Sequence, residues 1–338
     1  MIVQIINKLI SGLDQRQRDV MLGRFGLRGG KQTLAAIGKK YHLTRERVRQ
    51  IEGAALFLIK KTSEKSIDKI AETAISVLKK FGGVRKEEDL LNDLRTVLKD
   101  NKINRWQLRF IFEVVDGVKF HRNDKNFHDF WYLSDESFEK SKNFINKLAK
   151  FISDKKEEAI THKKFDNFFA PIIKSHNLND VIAFNYASIS KKFKISPFGE
   201  FGLSHWDEIN PKTIGAKTYL ILKRHRKPLH FTEIAKHINV VKFDSRSALP
   251  QTVHNELIKD PRFVLVGRGM YGLSEFGLKP GTAKEVIARI LKNKGPLSKE
   301  EVVDLTLQER FLQPNTILLN LQNKKHFKKL ENGRYHIV

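Results

Sequence analysis

The chain has 338 residues, 40% of them hydrophobic, so it is long enough for two or more domains with apolar cores. Lys and Arg outnumber Asp and Glu by 63 to 38, and the resulting net charge of +25 implies an acidic polymer as partner, nucleic acid ahead of an anionic membrane surface. The absence of cysteine excludes disulfides and thiolate metal sites, and no apolar run approaches membrane-spanning length. With no sign of export, these features predict a cytoplasmic, nucleoid-associated protein.

The charge is distributed unevenly along the chain. Residues 1–61 carry a net charge of +9, residues 62–210 carry +3 and residues 211–338 carry +13. We therefore expect both ends to contact nucleic acid, and the middle to act as scaffold or as a protein contact.

The first predicted element covers Met1 to Leu13. It is apolar but interrupted by Gln4, Asn7 and Lys8, and it lacks the small-residue cleavage site of a signal peptide. The pattern therefore predicts a helix.

The next stretch, Thr33 to Glu52, has the spacing of a helix-turn-helix. Leu34 and Ile37 give a short first helix one apolar stripe, and we expect Ala35 and Gly38 to keep its other side small enough for a second helix to cross closely. The break between the two helices is predicted at residues 41–43.

The second helix is predicted to begin at Arg45. Thr44 is a suitable N-cap, because its hydroxyl can accept a hydrogen bond from an exposed backbone N–H of the first turn. Val48, Ile51 and Ala55 repeat at helical spacing, so they should face the core.

Arg45, Glu46, Arg49 and Gln50 then lie on the opposite face of this helix. A guanidinium can pair with guanine, a carboxylate can accept from cytosine N4, and an amide can pair with adenine, so this face suits a major groove. The alternative is a solvated charged helix face, which any run of alternating arginines could form.

The segment Arg16 to Lys61, and especially its TRERVRQIE and RFGL runs, resembles region 4 of primary-type bacterial sigma factors. That domain reads the upstream (−35) promoter element and touches RNA polymerase. The resemblance implies base contacts by Arg45, Glu46 and Gln50. It implies phosphate contacts by a second set, Thr44, Arg49, Arg16 and Arg24. Ala35 and Ala54 depart from the family pattern, and the resemblance covers only about the first 61 residues.

After Lys61 the segment TSEKSIDKIAETAISVLKK predicts a helix that stops at Gly82 and Gly83, with an apolar side of Ile67, Ile70, Ile75 and Leu78. From there the chain repeats itself. Similar units begin at GGVRKEEDLLNDL, EEAITHKKFDNFF, KPLHFTEIAKHI and GPLSKEEVVDLT, with Val84, Ile160, Leu229 and Leu297 aligned.

Each repeat is preceded by a predicted helix and is followed by an aromatic strand, the four strands being DFWYL, EFGL, MYGL and RYHI. A helix, a short strand or turn, two helices and a hairpin form the order of a winged helix. The sequence thus predicts four winged-helix units in tandem.

The third unit, residues 211–277, resembles the HARE-HTH family of winged-helix modules, one of which forms the folded part of the delta subunit of bacterial RNA polymerase. Its Gly267 to Gly272 run formally matches GxGxxG. A dinucleotide site would need a helix after this run, whereas YGLSEFG indicates another strand, so we predict a hairpin with Arg268 at its tip. Arg268 would reach DNA or be solvated.

We therefore predict a mainly α protein with a sigma region 4-like helix-turn-helix followed by tandem winged-helix (α+β) modules. The predicted domains cover residues 1–62, 63–134, 135–208, 209–279 and 280–338. No P-loop, nucleophile elbow or HExxH motif is present, so we predict no enzyme, no catalytic residue, no metal and no cofactor or other small-molecule ligand.

The predicted function is sequence-specific binding of double-stranded DNA at a promoter element of the −35 type, in transcription together with RNA polymerase and without membrane contact. No segment resembles the aromatic-rich sigma region that melts the downstream promoter element, so a regulator or accessory initiation factor is favoured over a self-sufficient sigma factor. One alternative is a delta-subunit-like protein that binds RNA polymerase with little sequence preference for DNA. A second is the targeting part of a DNA-processing or defence system.

Overall fold

The computed structural model describes residues 2–62, 65–162, 167–278, 281–310 and 312–338. The chain divides into two compact units, one formed by residues 1–195 and 200–204, the other by residues 196–199 and 205–338. Among the described residues, no helix has both the length and the apolarity needed to cross a membrane.

Four helices form the N-terminal part of the first unit: α1 (Ile2–Ser11), α2 (Gln15–Arg24), α3 (Leu34–Tyr41) and α4 (Arg45–Thr62). The helix predicted over Met1 to Leu13 is thus confirmed for Ile2–Ser11. Asp14 begins α2 with a reciprocal cap, accepting from the Gln17 backbone N–H at 2.7 Å while the Gln17 side chain accepts from the Asp14 N–H at 3.2 Å.

The turn between α3 and α4 depends on Gly38. A Cβ atom at this position would lie 2.6 Å from the carbonyl oxygen of Leu43, and His42 adopts the left-handed region with φ of 55°. The expectation that Ala35 and Gly38 together admit a crossing helix is wrong, because Ala35 is exposed and Gly38 faces the backbone of the turn.

Helix α5 (Lys65–Lys80) follows, and Ile67, Ile70 and Leu78 are buried as predicted. Ile75 is only half-buried, because the small residues Ala71 and Ala74 complete the buried stripe instead.

The first winged-helix module continues with β1 (Val84–Lys86), α6 (Glu87–Leu98), α7 (Arg105–Val114), β2 (Lys119–His121) and β3 (Phe130–Tyr132). Its antiparallel sheet has the order β1-β3-β2. The Asn104 side chain caps α7 and the Gln107 side chain reciprocates.

The helix-turn-helix and this first module share one hydrophobic core. Residues of α1, α2 and α4 such as Met21 and Ile59 belong to the same buried cluster as Leu94 and Phe110 of the module. The Phe25 ring meets the Phe110 ring edge-on, with centroids 5.2 Å apart. Because α7 packs against both α1 and α4, the module is held against the helix-turn-helix by apolar burial.

The second module contains α8 (Asp135–Asp154), α9 (Lys156–Ala159), α10 (Ala170–Lys174), α11 (Asp180–Ile189), β4 (Phe193–Ile195) and β5 (Phe201–Leu203). The predicted aromatic strand at EFGL is confirmed as β5. The alignment of Ile160 with Val84 is wrong in structural terms, because Ile160 ends α9 instead of starting a sheet strand. The four residues 163–166 of that predicted repeat lie outside the described residues.

Helix α11 packs on β1 of the first module, and Asn185 is the central contact. Its buried side chain donates to the carbonyls of Phe81 at 2.8 Å and Val84 at 2.7 Å, and it accepts from Arg85 at 3.0 Å. Tyr186 also donates to the Gly82 carbonyl at 2.8 Å. The two modules therefore pack together through one buried and several part-buried hydrogen bonds.

The second unit begins with the third module: α12 (Ile214–His225), β6 (Leu229–His230), α13 (Phe231–Val241), α14 (Pro250–Lys259), β7 (Phe263–Gly267) and β8 (Met270–Leu273). The sheet order is β6-β8-β7. The predicted Gly-Arg-Gly hairpin is confirmed, because β7 and β8 pair on either side of Arg268 and Gly269, and Gly269 has φ of 66°. This strand-turn-strand geometry contradicts a dinucleotide fingerprint.

The fourth module consists of α15 (Ala283–Lys294), α16 (Lys299–Glu309), α17 (Pro314–Leu321), β9 (Phe327–Lys329) and β10 (Tyr335–Ile337). Arg310 ties it to the third module, because its guanidinium donates to the carbonyl of Leu265 at 2.7 Å and to that of Gly281 at 2.9 Å.

The predicted fold class is confirmed: a helix-turn-helix precedes winged-helix modules in a mainly helical chain. Three of the four aligned positions also occupy equivalent places. Val84 and Leu229 each pair with a tyrosine of the last strand, Tyr132 and Tyr271, and Leu297 forms an isolated bridge to Tyr335. The division into five domains stays a prediction from the sequence, whereas the structure separates into two compact units.

We predict that Asn185→Ala destabilises the first unit by about 1–3 kcal/mol, because the buried carbonyls of Phe81 and Val84 would lose their donor. Urea unfolding, followed by circular dichroism, measures the change. Asn143→Ala, at an exposed position of α8, is the control and should stay within about 0.5 kcal/mol of the parent protein. Equal stability of the two variants would contradict the assigned role of Asn185.

Candidate nucleic-acid interface

Helix α4 begins as the sequence predicts. The Thr44 hydroxyl accepts from the Arg47 backbone N–H at 3.1 Å, which confirms Thr44 as the N-cap. Val48, Ile51 and Ala55 are buried, the first two in a small core with Val20 and Ile37. Burial of this side fixes which face of α4 meets solvent.

The opposite face presents the predicted residues together. Arg45, Glu46, Arg49 and Gln50 are all exposed within the first two turns of α4. Arg47 is exposed beside them, and the sequence reasoning missed it. Its i, i+3 spacing to Gln50, which repeats the spacing of Glu46 to Arg49, was the available signal.

These residues form two neighbouring polar pairs. Arg49 donates two hydrogen bonds to the Glu46 carboxylate, at 2.9 and 2.6 Å, and the Arg47 guanidinium donates to the Gln50 side-chain oxygen at 3.1 Å. The hydrogen bonds from Arg49 lower the pKa of Glu46, and the same contacts raise the pKa of Arg49. Both side chains are more than half exposed, so solvent screens the pair and it can exchange for another partner.

Arg24 is placed differently from the other predicted phosphate contacts. Its side chain is only 20% exposed, and it pairs with Glu52 of α4 at 3.0 Å while donating to the Gln32 carbonyl at 3.0 Å. Arg24 therefore joins α2, α4 and the intervening loop. A phosphate contact by Arg24 stays a prediction. A phosphate bound there would share the Arg24 guanidinium with the Glu52 carboxylate and the Gln32 carbonyl.

Arg16 and Arg268 belong to elements other than α4. Arg16 is exposed in the first turn of α2, roughly 12 Å along the helix axis from Arg24 by helical rise. Arg268 is exposed at the tip of the β7–β8 hairpin and belongs to the other compact unit. Their predicted DNA contacts remain predictions.

The third helices of the winged modules differ in what they expose. Helix α7 is buried against α1 and α4, and α11 is buried against β1. Helix α17 contains no ionisable residue, and α14 exposes Gln251, Asn255 and Lys259 beside the apolar Ile258. Of these helices and α4, only α4 presents several cations to solvent.

A second basic surface lies at the wing of the fourth module, which we define as residues 324–338. It exposes five cations against the single side-chain carboxylate of Glu331, and the cations are Lys324, Lys325, Lys328, Lys329 and Arg334. The charge of the C-terminal segment predicted such a surface, but sequence reasoning did not identify the wing as its location.

Comparison with known proteins agrees with the resemblances seen in the sequence. Residues 9–61 match the family described as Sigma-70, region 4, and residues 213–276 match the HARE-HTH family, whose description names ASXL and the restriction endonuclease HTH domain. Both are DNA-binding types of domain. These two matches confirm the sigma region 4 and HARE-HTH resemblances.

Similar curated proteins include several sigma factors. The RNA polymerase principal sigma factor HrdD of Streptomyces viridifaciens is 46% identical over 57 residues, 17% of each chain. The RNA polymerase sigma factor SigA of Nostoc is 40% identical over 63 residues, 18% of this chain and 16% of its own. The chloroplastic sigma factor sigF of Arabidopsis thaliana is 43% identical over 56 residues, 16% of this chain and 10% of its own. The chain thus spans less than a fifth of the length of these relatives.

We predict that Glu46→Ala relaxes base preference at one base pair by about 1–3 kcal/mol, because the carboxylate that would accept from cytosine is removed. The measurement is the relative affinity for duplexes that vary at each position of a selected site. Glu72→Ala, which removes an exposed carboxylate from α5, is the matched control and should leave the preference unchanged. An equal loss of affinity on every sequence would argue against base reading by Glu46.

Proposed function

We propose that this protein is a sequence-specific DNA-binding transcription regulator or accessory initiation factor that reads a promoter element of the −35 type and acts with RNA polymerase. The observation that carries the proposal is the exposed face of α4. Its first two turns present three arginines, a glutamate and a glutamine in a segment that matches sigma region 4.

The α4 face carries both groups that can bind DNA phosphates and groups that can read base edges. Arg45 and Glu46 lie at the N-terminal end of the helix, which leads into the major groove in this class of motif. Phosphate contacts by arginines would supply most of the affinity, whereas contacts to base edges would supply the sequence choice. Because the Glu46–Arg49 pair is exposed, both side chains can exchange their present partner for a base or a phosphate.

A contact with RNA polymerase is supported by the opposite end of α4. Phe57 is 68% exposed there, and Leu58 lines a groove together with the apolar Ile5, Leu9 and Ile67 and the polar Lys8, Ser11 and Thr62. Apolar groups of this kind favour protein over DNA. The first two turns of α4 can thus offer polar groups to DNA, and Phe57 and Leu58 can offer apolar groups to a protein.

The alternative function is that of a polymerase-binding accessory protein with little sequence preference. The observation that favours it is the exposed apolar surface of the third module, where Val240, Leu249 and Ile258 are each more than 60% exposed. Helix α14 of this module also carries only one cation, Lys259. Selection by the purified protein from a pool of random DNA duplexes separates the two functions. The alternative function predicts that no sequence is enriched in the bound DNA.

Arg49 and Gln50 provide a sharper test, since they are neighbours with different expected roles. If Arg49 binds a phosphate, Arg49→Ala should weaken binding to all sequences and lower the salt dependence of log Kd by about one unit. Gln50→Ala should leave that slope nearly unchanged and alter the preferred base at one position, because an uncharged side chain releases no counterions.

The control for this pair is Lys61→Ala, which removes an exposed cation from the far end of α4. If neither Arg49→Ala nor Gln50→Ala changes DNA binding while either one disrupts a complex with RNA polymerase, α4 is a protein-contact element and the alternative function replaces ours.

The wing of the fourth module yields another prediction. Replacing Lys324, Lys325, Lys328 and Lys329 together by Gln should weaken binding to all duplexes and lower the salt slope by about two to four units, while the preferred sequence stays the same. A filter-binding titration at several salt concentrations measures both quantities. Unchanged salt dependence would remove this wing from the DNA interface.

A further inference from the structure

Although helix α7 of the first winged-helix module is largely buried, some side chains at the surface of this module remain available to DNA. Because α7 packs against α1 and α4, it cannot enter a major groove as the third helix of a winged helix commonly does. Its N-terminal end and the β2–β3 loop remain at the surface. Since the module shares a core with the helix-turn-helix, these parts are held in a fixed position relative to α4.

Cations and aromatic rings alternate in a row across the boundary between the two domains. The Lys31 ammonium lies 5.8 Å from the centre of the Trp106 ring, and the Arg109 guanidinium lies 5.4 Å from the same ring. Arg109 also lies 4.4 Å from the Phe120 ring of β2. Arg122 directly follows β2, two residues after Phe120, and it lies near enough to Lys31 for its charge to lower the pKa of that lysine.

The carboxylates near this row are already engaged by two arginines. Glu87 is 3% exposed and accepts two hydrogen bonds from Arg109, at 2.6 and 2.8 Å, and Asp129 lies 3.4 Å from the same guanidinium. Glu52 pairs with Arg24. Within the part of the chain that the structure describes, neither Lys31 nor Arg122 forms an ion pair, and both are exposed.

The surroundings of Lys31 are unfavourable to its charge. Partial burial lowers the pKa of Lys31, and the nearby charges of Arg24, Arg122 and Arg109 lower it further, against a smaller opposing effect of Glu52. A bound anion would reverse this electrostatic penalty. A phosphodiester fits, since it carries one negative charge and several acceptor oxygens for an ammonium and a guanidinium.

We propose that Lys31, which lies over the Trp106 ring, and Arg122 form a phosphate-binding site made jointly by the helix-turn-helix and the first winged-helix module. The site takes a backbone phosphate of the duplex that α4 reads, so this inference rests on the proposed function. The first module then extends the footprint on DNA without reading any base.

The test uses the full chain and two lengths of duplex, one limited to the selected recognition site and one extended on both sides. Lys31→Ala and Arg122→Ala should each weaken binding to the long duplex roughly three- to tenfold and lower its salt slope by about one unit. The short duplex and the base preference should be affected little. The double variant should lose less than the product of the two single losses, because both side chains hold one phosphate.

Two controls separate this site from general charge and from misfolding. Lys125→Ala removes an exposed cation three residues further along the same loop, and it should bind both duplexes as the parent protein does. Arg122→Lys should recover part of the salt slope. A further readout is fluorescence: Trp106→Phe should remove the DNA-dependent change on the long duplex, since Trp131 and Trp206 are both buried.

Unchanged binding of the long duplex by Lys31→Ala and Arg122→Ala, or an equal loss in Lys125→Ala, would overturn this site while leaving sequence reading by α4 intact. Absence of all DNA binding by the parent protein would overturn both the site and the proposed function.

Discussion

Apolar burial between α4 and α7 is the constraint on which the rest of the first unit depends. The α4 helix has two buried sides with different partners. Val48 and Ile51 pack within the helix-turn-helix, whereas Ala55 and Ile59 belong to the core shared with the first winged-helix module. Helix α4 is therefore anchored over most of its length, while its first two turns and its C-terminal Lys60 and Lys61 face solvent with polar side chains. Rigid support of this kind favours precise placement of the residues that would read bases under the proposed function.

The first and second modules have the winged-helix fold, but their third helices pack against the preceding domain. Helix α7 packs on the helix-turn-helix, and α11 packs on β1 through Asn185. The position that usually carries DNA contacts thus carries contacts to the preceding domain in both modules. This arrangement is consistent with the low net charge of residues 62–210, which is +3. A fold that recurs along one chain need not have the same role at each occurrence.

Much of the fold could be predicted from periodicity and local signals. The N-cap at Thr44, the buried stripe beginning at Val48 and the hairpin at Arg268 follow from the chemistry of neighbouring residues. The alignment of Ile160 with the strand residue Val84 was wrong, because an apolar residue in a repeat-like segment does not reveal whether a sheet edge is available to it. The pairing of Arg24 with Glu52 joins residues 28 positions apart, and the use of α7 as a packing surface depends on tertiary contacts. Such long-range contacts leave no local pattern in a single sequence.

The shared core also has a consequence for protein synthesis. The apolar side of the helix-turn-helix has its partners in a module whose last strand ends at Tyr132, about 70 residues after Thr62. At a typical elongation rate of about 5–20 residues per second, ribosomes need about 4–14 s to add those residues. During that interval Ala55, Ile59 and Met21 lack their native covering in the nascent chain. Chaperone demand should therefore be greatest while the first module is being translated.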